Sequence, residues 1–569
     1  MRFWAQSTLV ATILFVAFVF PALAADDTTL HLASQADVKG FDPVISDDLY
    51  SNTAASQVYE GLMQYAYLER PYRVIPNLSD GMPVISPDGL TYTFKIKKGV
   101  KFADDPCFKA TNGKGRDLTA EDLIYSWKRL ADNKLHSSGW WIFDKHIKGL
   151  NEFYEASKGT GPTDYAMKVD GLQATDPNTL VVKLTETYPQ FLYVLSMVFS
   201  SAVAREAVDA YTKEFLNHPV GTGAYVVKEW IRGSKIVFEK NPSYRGDTFP
   251  TTAEPGDKEA GLLDDAGKPC PFADRVELNI VTEDQPLWLR LMKGEFDAGG
   301  IPKDNFATAI DAKSGGLRPA LLEKGLTLTK TPEPDITMTA FNMEDPILGK
   351  NAKLRKAMAF AYNNPRRIDL FYTGRALAAQ SLLPPGIFGY DEKRKDPWGE
   401  YNVEKAKAML ADAGYPDGRG LPEFVSEEMA DTTARQFGEM FQREMAKIGI
   451  KIKCNSNTWP EFNAKMRTKR AQIFGYAWSA DYPDPENFLQ LLYGPNEAPG
   501  PNSSNYKNPK YDELYNKMKN MADGPDRKKL IDEMIALFYE DAPWIMGVHR
   551  VRYGLIHKWL KNYKYHPIG

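Results

Sequence analysis

Apolar and polar positions change rhythm many times along this chain, and each change predicts an element. Leu90-Thr91-Tyr92-Thr93-Phe94-Lys95-Ile96 alternates with period two, the pattern of a half-buried strand. Thr119 then stands before Ala120-Glu121-Asp122 as an N-cap with acids in the first turn. Leu123, Trp127 and Leu130 follow at i, i+4 and i+7, so one helical face is predicted to be buried. Thr179-Leu180-Val181-Val182-Lys183-Leu184 reads as a second strand, and the glycine-rich Val220-Gly221-Thr222-Gly223-Ala224 as a loop leading into the strand Tyr225-Val226-Val227. Further on, Leu354, Met358, Ala361 and Tyr362 form a helical stripe. Asn402 caps a helix whose apolar side is Ala406, Leu410 and Ala413, with Gly414 closing it. Ile448, Ile450 and Ile452 alternate with Gly449 and Lys451 and predict a strand with one buried face. Stretches 511–521 and 527–538 read as closing helices. This alternation of short strands and helices predicts an α/β protein.

The N-terminal segment follows a different logic. Arg2 supplies a positive start, 9–20 is an apolar run broken only by alanines and one threonine, and Pro21 precedes Ala22-Leu23-Ala24. Charged, greasy and small segments in this order make a signal peptide over residues 1–24. The run is short for a spanning helix, so an uncleaved anchor is the weaker alternative. No cysteine lies near the cleavage site to accept a lipid. The expected compartment is the periplasm.

Composition narrows the picture further. A chain of 569 residues is too long for one core and predicts two to four domains. A net charge of −4 carries no signal for nucleic acid, and the mean hydropathy of −0.42 fits a chain without spanning helices. Cys107, Cys270 and Cys454 are odd in number, and Cys107 with Cys270 is the first pairing to consider, since both sit in loops rich in Pro, Gly and Lys. The seven histidines show neither an i, i+4 pair nor zinc spacing. Asp481, Asp484 and Glu486 lack the spacing of an EF-hand, and Gly221-Thr222-Gly223 lacks the Gly and Lys of a phosphate loop. There is no Gly-x-Ser-x-Gly elbow. No cofactor, no metal and no catalytic residue are expected.

A set of short segments carries a family resemblance. Val58-Tyr59-Glu60-Gly61-Leu62, Pro76-Asn77-Leu78, Asp88-Gly89-Leu90-Thr91-Tyr92-Thr93-Phe94 and Lys98-Gly99-Val100-Lys101-Phe102 come first. Leu118-Thr119-Ala120-Glu121-Asp122, Gly221-Thr222-Gly223-Ala224-Tyr225 and Lys293-Gly294-Glu295-Phe296-Asp297 follow. Phe341-Asn342-Met343, Leu354-Arg355-Lys356-Ala357, Ala406-Lys407-Ala408-Met409-Leu410 and Trp478-Ser479-Ala480-Asp481-Tyr482-Pro483-Asp484-Pro485 complete it. In this order they resemble the family 5 extracellular solute-binding proteins, which include peptide-binding components of ABC importers. The chain departs from the pattern in the longer, more basic loop 105–116, and at Met82, where many relatives carry Trp.

The resemblance implies a two-lobed periplasmic-binding-protein fold, type II and hinged, with an additional inserted domain. Its implied divisions are 25–66 with 205–332 and 547–569 for the first lobe, 67–204 for the inserted domain and 333–546 for the second lobe. It also implies Asp481 as the group that receives a peptide's α-ammonium, within a Trp-x-x-Asp segment that includes Trp478. Backbone groups of Ala477 and Ser479 would pair with an extended peptide as an added strand. Without the resemblance, Asp481 reads as a loop aspartate capping the turn before Pro483, and Trp478 reads equally as pocket wall or core. Arg355, Arg366 and Arg367 are available to a ligand carboxylate, but each reads as a surface group. The expected partners are a peptide ligand and an inner-membrane ABC permease, with no nucleic acid and the protein a monomer. A non-peptide solute such as a nickel chelate, haem or a sugar is the alternative cargo, and a secreted hydrolase the distant third reading.

Overall fold

The computed structural model describes residues 28–46, 48–311, 313–430 and 432–568. The predicted signal peptide over 1–24 lies outside them. Two groups of sheets divide the architecture. In the first, Thr29–Ser34 pairs parallel with Arg275–Ile280, which continues antiparallel to Lys235–Lys240 and Tyr225–Ile231. A smaller sheet places the long strand Val548–His557 between Ala298–Gly300 and Leu326–Pro332. In the second group, five strands stand in the order Ile452–Asn457, Phe424–Met429, Ile473–Ser479, Asp335–Phe341, Trp544–Met546. Apolar clusters cover both faces of this sheet, one around Leu382, Phe488 and Ile531, the other around Leu354, Phe424 and Ile450. A four-stranded antiparallel sheet, Val84–Ile85, Thr91–Lys95, Thr179–Lys183 and Leu172–Asp176, forms the additional unit, and its core is continuous with that of the first sheet.

Two segments cross between the groups. Leu326–Pro332 runs through Glu333 and Pro334 into Asp335–Phe341. Val548–His557 starts against Ala376–Ala378 and ends against Ala298–Gly300. The fold is therefore two α/β lobes joined by crossing strands, with a further domain.

Most elements form where the pattern placed them. Thr119 makes a capping box with Asp122 at the head of Ala120–Leu130, and Leu123, Trp127 and Leu130 are buried. Asn402 Oδ1 accepts from the Lys405 N–H at 3.0 Å at the head of Val403–Asp412. The closing helices are Pro509–Met518 and Pro525–Asp541. Gly221 and Gly223 serve close packing: a Cβ at either would overlap the Val58 carbonyl of the neighbouring chain. Thr222 between them donates to Glu60 Oε2 at 2.8 Å.

Two expectations are corrected. Ile448, Ile450 and Ile452 are all buried, yet the strand begins only at Ile452. Gly449 adopts φ +82 in a turn pressed against Asp417 and Gly418, so burial here alternates without a pleat. The Cys107–Cys270 pairing is absent, and all three cysteines are free thiols. Cys107 sits beside Asp105 and Cys270 beside Asp247, so the two loops present their thiols to different neighbours.

Candidate functional site

The strand Ile473–Ser479 has one neighbour along its whole length and another along only its first residues. Antiparallel pairing to Asp335–Phe341 runs from Ile473 to Ser479, whereas parallel pairing to Phe424–Met429 stops at Phe474. The direction of its backbone groups follows from two bonds that bracket the strand. Asn342 N–H donates to Gln472 C=O at 3.0 Å, and Ala480 N–H donates to Pro334 C=O at 2.9 Å. Even-numbered residues therefore face the 335–341 strand, and Gly475, Ala477 and Ser479 face the side where pairing has stopped. Gly475, Ala477 and Ser479 are exposed. An unpaired edge of this kind accepts an extended peptide as an added strand.

The chain leaves this edge through a tightly organised turn. Asn487, fully buried, is its hub. Its side-chain oxygen accepts from the Trp478 indole N–H and from the Asp481 backbone N–H, both at 3.0 Å. Its amide nitrogen donates to Asp481 Oδ2 at 2.8 Å. These three bonds fix the Asp481 carboxylate just past the open edge. Burial pushes the Asp481 carboxyl from 3.8 up to about 6, against the pull of the Asn487 bond. A carboxylate so placed favours an incoming cation, because pairing restores what desolvation removed.

The base of the turn is ionic. Asp484 takes a two-pronged bond from Arg527, at 2.7 and 2.9 Å, with both groups buried. Beside it, Glu486 accepts from Tyr482 Oη at 2.5 Å and also from Tyr515 Oη. Burial raises the Glu486 carboxyl.

Aromatic rings from the first lobe and the added domain face this turn. Tyr193 stacks on Tyr482 with centroids 6.2 Å apart, and Trp141 lies 6.3 Å from the same ring. Tyr65 stacks on Tyr193 at 6.3 Å, and its hydroxyl is buried beside Ser196. Burial holds the Tyr65 phenol well above its ordinary range against the pull of Ser196, and the neighbouring Tyr193 and Asp481 add to the shift. Lys519 Nζ approaches Glu186 at 3.3 Å and Gln190 Nε2 donates to Lys519 C=O at 3.3 Å. The lobes are thus in contact around Asp481.

Asp481, Trp478, Ser479 and Ala477 are brought together on one strand end and its turn. Trp478 combines the two roles left open for it, since its ring packs against the second-lobe core while its N–H serves the Asp481 turn. The surface role expected for three arginines holds only for Arg366. Arg355 is buried and donates to the carbonyls of Ala542, Leu348, Gly349 and Asp541. Arg367 is buried as well. Sequence reasoning missed Asn487, Tyr65 and Tyr193. The one signal for Asn487 was its place in the Trp478–Asn487 segment, whereas the two tyrosines arrive from distant sequence.

Two α/β lobes linked by crossing strands, closed over an organised carboxylate, have the architecture of a solute-binding protein. The family model for bacterial extracellular solute-binding proteins, family 5 Middle, matches residues 73–500, and the chain belongs to this family. It is 28% identical over 560 residues to heme-binding protein A of Haemophilus influenzae, covering 96% of this chain and 91% of that protein. It is 26% identical over 552 residues to the dipeptide-binding protein of Escherichia coli, covering 95% and 93%. The fold matches the periplasmic binding protein DppA from Helicobacter pylori in complex with the peptide STSA, with TM-score 0.74, 24% identity, and 95% and 96% of the two chains covered. It also matches a dipeptide-binding protein from Pseudoalteromonas in complex with Met-Leu, with TM-score 0.73, 21% identity, and 95% and 98% covered.

Proposed function

We propose that the protein captures short peptides in the periplasm and delivers them to an inner-membrane ABC permease, without chemical change to the ligand. The observation that carries this reading is Asp481, a half-buried carboxylate just past the open edge of the strand Ile473–Ser479. Asp481 receives the peptide's α-ammonium, and Ala477 and Ser479 pair with its backbone. Trp478 lines the adjoining wall. Backbone pairing gives affinity without reading side chains, which suits a carrier of mixed peptides. Solved relatives in complex with STSA and with Met-Leu support the choice of peptide.

In this reading the protein acts as a monomer. Residues 25–66, 205–332 and 547–569 form the first lobe, 67–204 the inserted domain and 333–546 the second lobe, with hinges near Glu333 and Gly547. The test is mass spectrometry of material released on denaturing protein taken from the periplasm. A ladder of short peptides is expected. A single non-peptide mass would overturn the peptide assignment and leave the family membership intact.

A further inference from the structure

The core of the added unit takes in a ring that the second lobe supplies. Tyr482 follows Asp481 in the turn and is only 2% exposed. Its ring belongs to the apolar cluster built by the first lobe and the added unit, not to the clusters on its own sheet. Trp141 lies in the added unit between Thr91–Lys95 and Leu172–Asp176 in sequence, and Tyr193 follows Thr179–Lys183. These two supply the rings that Tyr482 meets, at 6.3 and 6.2 Å. Tyr188 of the same stretch is buried nearby. Burial holds its phenol far above the ordinary range, and Glu486 and Asp484 of the turn add to the effect.

A polar clasp lies one helix away. Tyr482 and Tyr515 both donate to Glu486, and Tyr515 sits on the helix Pro509–Met518, which is followed by Lys519 and Asn520. Lys519 Nζ approaches Glu186 Oε1 at 3.3 Å, and Asn520 Nδ2 donates to Glu186 Oε2 at 3.4 Å. Gln190, buried in the added unit, donates to Lys519 C=O at 3.3 Å. The His146 ring stacks on Tyr188 at 3.8 Å. Burial lowers this imidazole to about 4, so it stays neutral beside the Glu186–Lys519 pair. Elsewhere the first lobe meets the second through Lys303, 3.4 Å from Gln436, and through Ile301 C=O, which accepts from Arg375 at 3.1 Å. Neither contact involves the Asp481 turn.

We propose that the added unit is a clamp that grips the Asp481 turn through Tyr482 and Lys519, holds the second lobe over a bound ligand and sets how long the ligand stays. The core of the added unit is continuous with that of the first sheet, so the two move together. A hinge motion that parts the lobes must therefore withdraw the Tyr482 ring from Trp141 and Tyr193 and break the contacts at 519 and 520 in the same step. The clasp is partly exposed and weak alone, whereas the desolvated rings contribute more. Because the contacts form after the ligand has entered, they act on release rather than on encounter. The effect on residence time rests on the peptide reading above; the grip on the turn stands without it.

The test combines rapid-filtration release of radiolabelled trialanine with small-angle X-ray scattering, both on the full mature protein. Trp141→Ala and Lys519→Glu are each expected to release trialanine about five- to tenfold faster than the wild type, with association changed by less than about twofold. The charge swap Glu186→Lys with Lys519→Glu is expected to restore release to within about twofold, which a merely structural loss would not allow. Raising salt to about 1 M is expected to speed release from the wild type but not from Lys519→Glu. Without peptide, the radius of gyration is expected to rise in both single variants and to return in the swap. Unchanged release in both single variants would overturn the clamp, as would a swap no slower than Lys519→Glu. A radius of gyration that neither variant alters would overturn it as well. If the wild type does not bind trialanine, the peptide reading fails and the scattering alone decides the clamp.

Discussion

Replacing Asp481 by Asn isolates the charge at the centre of the site while keeping its shape. Burial raises this carboxyl from 3.8 to about 6. At about 1.4 kcal/mol per tenfold, holding it ionised near neutral pH costs about 3 kcal/mol. An ammonium ligand offsets that cost and adds a charged hydrogen bond. The asparagine can accept from a neighbouring N–H through its oxygen and needs no counter-ion, so the variant protein should fold. Two opposite effects are then expected. Without ligand, Asp481→Asn melts at a higher temperature than the wild type at pH 7.5, because the uncompensated charge is gone. With ligand, its Kd for a tripeptide with a free amine rises on the order of 100-fold, about 3 kcal/mol, while its Kd for the N-acetylated tripeptide is unchanged. Calorimetry on the four combinations of protein and peptide gives the coupling energy directly. A free-amine tripeptide that binds the variant as tightly as the wild type would refute the assignment. A ligand-free melting temperature that falls would refute the electrostatic account of the empty site.

Other consequences follow from the same geometry. The value of about 6 sets a pH window: an ammonium favours the ionised carboxylate, so affinity for free-amine peptides is flat above about pH 7 and weakens toward tenfold per unit below about pH 6, as calorimetry across pH 5–8 will read. The same raised carboxyl makes the empty protein gain stability from this group as pH falls from about 6 toward 4, a trend absent in Asp481→Asn melts. Asn487→Ala deletes three hydrogen bonds from the turn, and urea unfolding should show a loss of about 2–3 kcal/mol together with weakened peptide binding. Asp484→Asn removes the buried two-pronged partner of Arg527 at the base of the turn and leaves it Asp523 at 2.7 Å, and the expected loss is about 2–3 kcal/mol in the same assay.

Local pattern was enough wherever one chain segment decided its own state. The Thr119 cap, the stripe of Leu123, Trp127 and Leu130, and the strand around Tyr92 all formed as read, because capping bonds and helical or pleated periodicity act over a few residues. The isoleucines from 448 to 452 misled for a related reason. Their alternation reported burial correctly, but one left-handed glycine let a turn meet the same pattern. At the candidate site, the resemblance pointed to the segment of Ala477, Trp478, Ser479 and Asp481, and the structure puts these four on one strand end and its turn. The hub Asn487 was not, since its role depends on bonding back to residues six and nine positions earlier across a turn.

The sequence by itself determined the alternating α/β elements, their caps and the family, because these depend on short-range periodicity and contiguous motifs. Only the tertiary structure decided that pairing stops at Phe474 and leaves an open edge, that Tyr193 stacks on Tyr482 next to Asp481, and that Arg355 is buried against backbone carbonyls. These outcomes rest on contacts between segments far apart in the chain. Desolvation and unpaired polar groups come from the whole surrounding shell, which no local window of sequence contains.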